Sequence, residues 1–279
     1  MATVYLNGQY LPDDRALISP LDRGFTYGDG VYEVIRAYHG KIFLLAEHFA
    51  RLASSCAKLR LGVHLTPLEA VPERLLRENG LGGDALIYLQ ITRGTAPRSH
   101  VFPPADTKPT VFALAWAYTP NPALASPGAV AILEPDVRWS RCDIKVTSLI
   151  PNSFAAQRAK ELGAHEGLFV RDGVVQEGSL SNFFAVADGE VRTAPLSNYI
   201  LPGITRAVVL DLCREHGIPC RETPVFATEL GDADELFLTS TVYDVVSIDC
   251  LDGKKLPAER PVTRRLAELF RAVVERECA

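Results

Sequence analysis

Short β-rich runs, closed by turns or by single amphipathic helices, recur along this chain without the regular strand–helix alternation of a βαβ winding. That pattern favours an α+β fold. Val4-Tyr5-Leu6 and Gln9-Tyr10-Leu11 flank Asn7-Gly8, the dipeptide of a type I′ hairpin. A second hairpin is expected over 31–45, turning at His39-Gly40. A helix is expected at 46–60, where Phe49, Leu52, Ala53, Cys56 and Leu59 form one apolar stripe. Another should start at Thr66, with Pro67 in its first turn, Glu69 completing a capping box, and Asn79-Gly80 ending it. Strands are expected at 85–93 and 110–118. The uncharged, proline-punctuated stretch from Thr119 to Gly128 reads as a linker. It divides the chain into a smaller N-terminal α/β domain (1–118), a linker (119–128) and a larger C-terminal domain (129–279). In the latter, strands are expected near 129–134, 143–148, 167–171, 182–187, 190–194 and 235–240. Helices are expected near 152–163, 204–216 and 262–277.

Composition narrows the class. The chain has 279 residues, 47% hydrophobic and 23% charged, ordinary values for a globular protein that can bury its own core. Disorder, collagen and a small cysteine-stapled scaffold are excluded. No charge-free run is long enough to span a bilayer, so no membrane association is expected. The net charge is −5 with the signs interspersed, which argues against nucleic acid as a partner. The six cysteines form no C-x-x-C pair, so no metal site is expected. Scattered thiols behind an N-terminus with neither a basic region nor an apolar core point to a reduced, cytoplasmic protein.

The common catalytic signatures are missing. There is no P-loop, no H-E-x-x-H and no G-x-S-x-G. Gly24, Gly28 and Gly30 have the wrong spacing for a dinucleotide fingerprint and read as a tight turn. Lysine usage says more. Of seven lysines, only Lys145 falls within a β-branched, alternating stretch, Cys142-Asp143-Ile144-Lys145-Val146-Thr147. A sheltered lysine loses its proton more easily and becomes a nucleophile able to form a Schiff base; a lysine on an edge strand facing water is the alternative. The start Leu201-Pro202-Gly203-Ile204-Thr205-Arg206 can seat a phosphate on free helix N–H groups, or is an ordinary helix start. Thr239-Ser240-Thr241 either offers hydroxyls to the same anion or reflects β-propensity.

These blocks together resemble the fold-type IV pyridoxal-phosphate enzymes. The resemblance rests on Asp22-Arg23-Gly24, Tyr27 to Glu33, Glu47-His48 with Arg51-Leu52, Arg141 to Lys145, Glu177-Gly178-Ser179 with Ser181-Asn182, and Leu201 to Arg206. It implies two α/β domains with the cofactor site between them, and pyridoxal 5′-phosphate bound in the larger one. Lys145 then matches the lysine that carries the cofactor and shuttles the proton. Glu177 matches the carboxylate at the pyridine nitrogen. Arg51, Ile204, Thr205, Ser240 and Thr241 match the phosphate cradle, and Tyr32 an active-site tyrosine near the substrate carboxylate. Arg98 and His100, in Thr92 to His100, resemble the pair with which D-amino acid aminotransferases bind the substrate α-carboxylate across a homodimer. The implied activity is ping-pong transamination of D-amino acids with a 2-oxo acid acceptor. A branched-chain L-amino acid aminotransferase and an aminodeoxychorismate lyase are the alternatives on the same scaffold. Leu180, where the family often has a small residue, and Tyr243-Asp244 depart from the pattern near the substrate side-chain pocket.

Overall fold

The computed structural model describes residues 1–125 and 128–279. Ser126 and Pro127, part of the expected linker, lie outside the described residues. The chain divides into two compact units. The first is Met1–Thr119 with Ile144–Ser148 and Glu277–Ala279; the second is Pro120–Asp143 with Leu149–Arg276.

In the first unit, β1 (Thr3–Leu6) and β2 (Gln9–Pro12) form the expected hairpin, with Asn7 and Gly8 both at positive φ. A short helix, α1 (Arg23–Tyr27), follows, then β3 (Gly30–Tyr38), β4 (Lys41–Ile42), α2 (Leu45–Lys58), α3 (Val71–Glu78), β5 (Ala85–Thr92) and β6 (Thr110–Ala117). The sheet runs β2-β1-β6-β5-β3-β4, antiparallel throughout. Leu52 of α2 and Leu75 of α3 are buried with Ile35, Ile87 and Leu89 of the sheet. Two expectations are corrected. The helix expected from Thr66 is a 3-10 turn, Thr66–Leu68, followed by a separate α3 with proline in its first turn; Pro72 has no N–H to continue the earlier turn. The glycine-rich stretch holds α1, started by Asp22, whose side chain accepts from the Gly24 N–H, and stopped by Gly28 at positive φ.

The second unit contains α4 (Pro122–Ala125), β7 (Ala129–Pro135), α5 (Ile150–Glu161), β8 (Glu166–Arg171), β9 (Val174–Gly178), β10 (Asn182–Ala187), β11 (Glu190–Thr193) and α6 (Ile204–Glu215). It continues with β12 (Cys220–Glu222), β13 (Val225–Phe226), β14 (Glu235–Ser240), β15 (Asp244–Leu251), β16 (Lys254–Lys255) and α7 (Pro261–Glu277). The sheet order is β12-β11-β10-β14-β15-β7-β8-β9-β13, with β16 on β15. Only β7 with β8, β7 with β15 and β11 with β12 pair in parallel, so the architecture is α+β. All six cysteines are free thiols, four of them buried.

Residues 143–148 are not a strand. Val146 makes one isolated bridge, to Val31, and the backbone around it turns to bond β3: the Tyr32 N–H donates to Lys145 O (3.0 Å) and the Thr147 N–H to Gly30 O (3.0 Å). Residues 144–148, kept within 129–279 by the sequence reading, therefore pack in the first unit, where Ile144 and Val146 join its core. Alternating β-branched residues satisfied the strand pattern, but the Val146 N–H turns back to Ile144 O and the Lys145 N–H to Ser55 Oγ, so the segment touches β3 without forming a ladder on it.

Candidate active site

In the first unit, Lys145 is half-buried. Its Nζ lies 4.4 Å from the centroid of the Tyr32 ring and makes no ion pair among the described residues. Tyr32, opposite Gln90 and diagonal to Tyr88 in the β3–β5 register, stacks on Tyr88 at 5.5 Å. The Lys145 N–H meets Ser55 Oγ, on α2, at 3.4 Å.

Arg51, also on α2, grips Glu33 with both ends of its fork: Nε to Oε1 at 2.8 Å and Nη2 to Oε2 at 2.7 Å. His48, one turn earlier, donates from Nδ1 to Glu33 Oε2 at 2.8 Å, the direction an ionised carboxylate requires. Burial pushes the Glu33 carboxyl up, yet the Arg51 charge and the bonds from Arg51 and His48 prevail and hold it at about 2. Burial, helped by the charges of Arg51 and Lys145, lowers the His48 pKa although Glu33 opposes the shift. Arg51 is thus oriented before any anion reaches it.

Arg98 and His100 form a separate group. Both side chains are exposed, and they meet across Tyr27: Arg98 Cζ is 5.2 Å from its ring centroid and the His100 ring stands edge-on at 5.7 Å.

In the second unit, Glu177 is buried near the end of β9. Oε2 accepts from the Leu201 N–H (2.9 Å) and Asn182 Nδ2 (3.1 Å), and Oε1 accepts from Arg138. Arg138 is clamped in turn by Asp136 (2.9 and 3.0 Å) and the Tyr199 carbonyl (3.1 Å), over the ring of Phe169. Arg171 Nε donates to Asp136 Oδ2, the oxygen that also accepts from Arg138 Nη2, at 3.1 Å. The turn after Glu177 is held by Glu166, which accepts from the hydroxyls of Ser179 and Ser181 and the N–H groups of Ser179 and Gly167. Burial nevertheless raises the Glu166 pKa. Leu180, between the serines, is half exposed.

Ile204 and Thr205 open α6. Gly203, its extended N-cap, supplies no side-chain cap, so the first N–H groups present their positive ends to whatever lies before them. A Cβ on Gly203 would overlap Asn182 Oδ1. Asn182 faces Thr239 in the β10–β14 register. Glu177, Leu201, Gly203 just ahead of α6, and Thr239 of β14 therefore surround Asn182. The three hydroxyls of Thr239-Ser240-Thr241 differ. Thr239 is buried and its Oγ1 has no partner, Ser240 Oγ accepts from the N–H groups of Val242 and Tyr243 (3.3 and 3.0 Å), and Thr241 is half-buried.

Sequence reasoning assigned no role to Glu33, His48, Asp136, Arg138 or Asn182. His48 and Arg51 lie three apart and so share a helix face, a signal that could have linked them. Asp136 and Arg138 carry no motif.

Taken unit by unit, the residues are of the kinds a phosphopyridoxal needs: in the first, an amine outside any ion pair among the described residues; in the second, a buried carboxylate fixed by a guanidinium and a helix start without a side-chain cap. The sequence model of the class IV amino-transferases matches residues 30–250. The chain is 38% identical to a D-alanine aminotransferase of Staphylococcus haemolyticus, covering 99% of both sequences. Among solved structures, it resembles the branched-chain aminotransferase of the archaeon Thermoproteus uzoniensis with norvaline, at a TM-score of 0.88 and 28% identity, covering 98% of this chain and 95% of that one. It equally resembles the T.th. branched-chain amino acid aminotransferase with pyridoxamine 5′-phosphate, at a TM-score of 0.88 and 28% identity over 99% and 95%.

Proposed function

The chain belongs to the class IV aminotransferases, and on that footing we propose that it moves amino groups from D-amino acids to 2-oxo acids, using pyridoxal 5′-phosphate. One observation carries the residue-level reading: the Lys145 amine is half-buried against Tyr32 and makes no ion pair among the described residues. When bound, the cofactor supplies a sink for the electron pair left as an α-hydrogen departs.

The chain's own residues do the rest. Lys145 Nζ would hold the cofactor, and the same amine is placed to accept and return the α-proton. Glu177, oriented by Arg138, would face the pyridine nitrogen and favour positive charge there. Arg51, the Ile204 and Thr205 N–H groups, Ser240 and Thr241 hold the phosphate, combining a guanidinium, a helix start and hydroxyls against a dianion. Tyr32, Arg98 and His100 receive the substrate α-carboxylate; the paired donors of a guanidinium match its two oxygens. The 38% identity with a D-alanine aminotransferase over nearly the whole chain supports D-amino acids as donors. We also propose a homodimer, in which Arg98 and His100 serve the neighbouring chain, and a cytoplasmic location. No helix of the described residues is long and apolar enough to cross a membrane.

The test is a donor screen of the holoenzyme with a 2-oxo acid acceptor. D-Alanine or D-glutamate should yield the corresponding 2-oxo acid, and L-leucine should not. Turnover of L-leucine alone would favour the branched-chain reading, and 4-aminobenzoate release from aminodeoxychorismate the lyase. Borohydride reduction and peptide mapping should place the cofactor on Lys145; a label on another lysine overturns its role.

A further inference from the structure

Tyr27, on α1, belongs to no catalytic group described above, yet three side chains converge on its ring. Arg23 Cζ lies 4.5 Å from the centroid, Arg98 Cζ 5.2 Å, and His100 meets it edge-on at 5.7 Å. Arg23 also holds the backbone between the latter two: its Nη1 donates to Ser99 O at 2.7 Å. The loop is thus gripped at three consecutive residues, by two residues of one short helix.

That grip is anchored deeply. Arg23 is buried, and its Nε binds Asp29 Oδ2 at 2.8 Å. Asp29 is held from the other side by Arg93, through Nε (2.8 Å) and Nη2 (3.0 Å). Arg93, also buried, donates onward to the carbonyls of Leu59 and Arg60 (2.8 and 3.2 Å), just past the end of α2. A continuous line of charge-assisted bonds, the strong class of hydrogen bond, runs from the end of α2 through Arg93, Asp29 and Arg23 to Ser99 O. Gly94 secures the loop's start. Its φ is +91° and a Cβ there would overlap Lys108 O. Pro97, Arg98, Ser99 and His100 are themselves exposed. Exposed side chains on a backbone tied to the interior are what a pre-set binding pair requires, because the ordering cost is met before the ligand arrives.

We propose that Arg23 and Tyr27 are positioning residues that fix the spacing and direction of Arg98 and His100 within a single chain. The inference rests on the reading that Arg98 and His100 bind the substrate α-carboxylate. The amino acid and the 2-oxo acid both carry that group, so loosening the pair weakens both co-substrates together and leaves the chemical step nearly intact.

The experiment uses the holoenzyme with Tyr27→Leu, Tyr27→Phe, Arg23→Gln and, as a reference, Arg98→Ala. Steady-state kinetics are measured with D-alanine and a 2-oxo acid, and backbone hydrogen exchange is followed over 97–102. Tyr27→Leu should raise both KM values about tenfold with kcat held within about threefold, the signature of lost uniform binding, and should speed exchange over 98–101. Tyr27→Phe keeps the ring and should behave as the parent. Arg23→Gln should speed exchange at the same amides; if that variant fails to fold, Tyr27→Leu and Tyr27→Phe decide alone. Unchanged KM and unchanged exchange in Tyr27→Leu overturn the proposal. A fall in kcat with KM unchanged also overturns it, because the ring would then serve the chemistry rather than the loop. Unchanged KM in Arg98→Ala removes the carboxylate reading itself and with it the positioning role. Exchange that still quickens in Tyr27→Leu would then mark a purely structural grip.

Discussion

Arg138 donates from Nη1 to Glu177 Oε1, while Nε and Nη2 of the same guanidinium are fixed by Asp136 and the Tyr199 carbonyl. The pair is buried, so removing one partner strands the other in a medium that solvates charge poorly. Arg138→Met should destabilise the apoprotein by about 3–5 kcal/mol, read as a fall in urea midpoint. Adding Glu177→Met to Arg138→Met should recover much of the loss. If Arg138→Met is neutral, the guanidinium is not what holds Glu177.

Asn182 reaches Glu177 with its amide nitrogen and leaves no room for a Cβ at Gly203 beside its oxygen. Gly203→Ala should therefore push Asn182 away and cost about 1–3 kcal/mol through overpacking. The φ of −68° is ordinary, so the loss is steric rather than conformational. The variant should also shed cofactor faster on dialysis, measured by absorbance. Tight retention together with parental thermal stability would show that α6 can shift at no cost.

Lys145→Ala should fold as the parent does, since the backbone bonds of residue 145 do not involve its side chain. Turnover with D-alanine should fall by at least about 10²–10⁴-fold, the share assigned to a positioned proton carrier. Circular dichroism controls for folding. A loss under tenfold would move the proton transfer to another residue.

The Glu33–His48–Arg51 network makes stability depend on pH in one direction. His48 binds a proton less readily folded than unfolded, so the folded state loses ground as pH drops below about 6.5. Glu33, ordinarily near 4.5, is held at about 2; its stabilisation is present above 4.5 and is lost as pH falls toward 2. Thermal midpoints should decline from pH 7 to pH 5, and more shallowly in His48→Gln. A parallel decline in that variant would assign the dependence to other groups.

How much of this was legible depended on whether the information was local. Asn7-Gly8 announced its hairpin because both residues tolerate positive φ. The stripe from Phe49 to Leu59 announced α2 because its period is helical. Residues 143–148 misled, since alternation predicts extended backbone, whereas here the Val146 N–H turns back to Ile144 O and only one residue pair bridges to β3. β15 was missed although Val245, Val246 and Ile248 are buried along it; Asp244, at positive φ, hides its start as a turn. The family motifs singled out Lys145 and Glu177. The guanidinium that fixes Glu177 comes from residue 138 with no sequence signal, because a long-range ion pair needs only two side chains that meet in space.

Ile144–Ser148 belongs to the first unit although it is translated after all of β1 to β6. On the ribosome, the nascent sheet and its helices emerge complete before this five-residue insert and the closing residues Glu277–Ala279. Gly30 O must wait for the N–H of Thr147, and the Tyr32 N–H for the carbonyl of Lys145. N-terminal regions ordinarily fold first during synthesis. Here Lys145 is delivered late, to a sheet already assembled, and its arrival completes the backbone bonds that β3 leaves open.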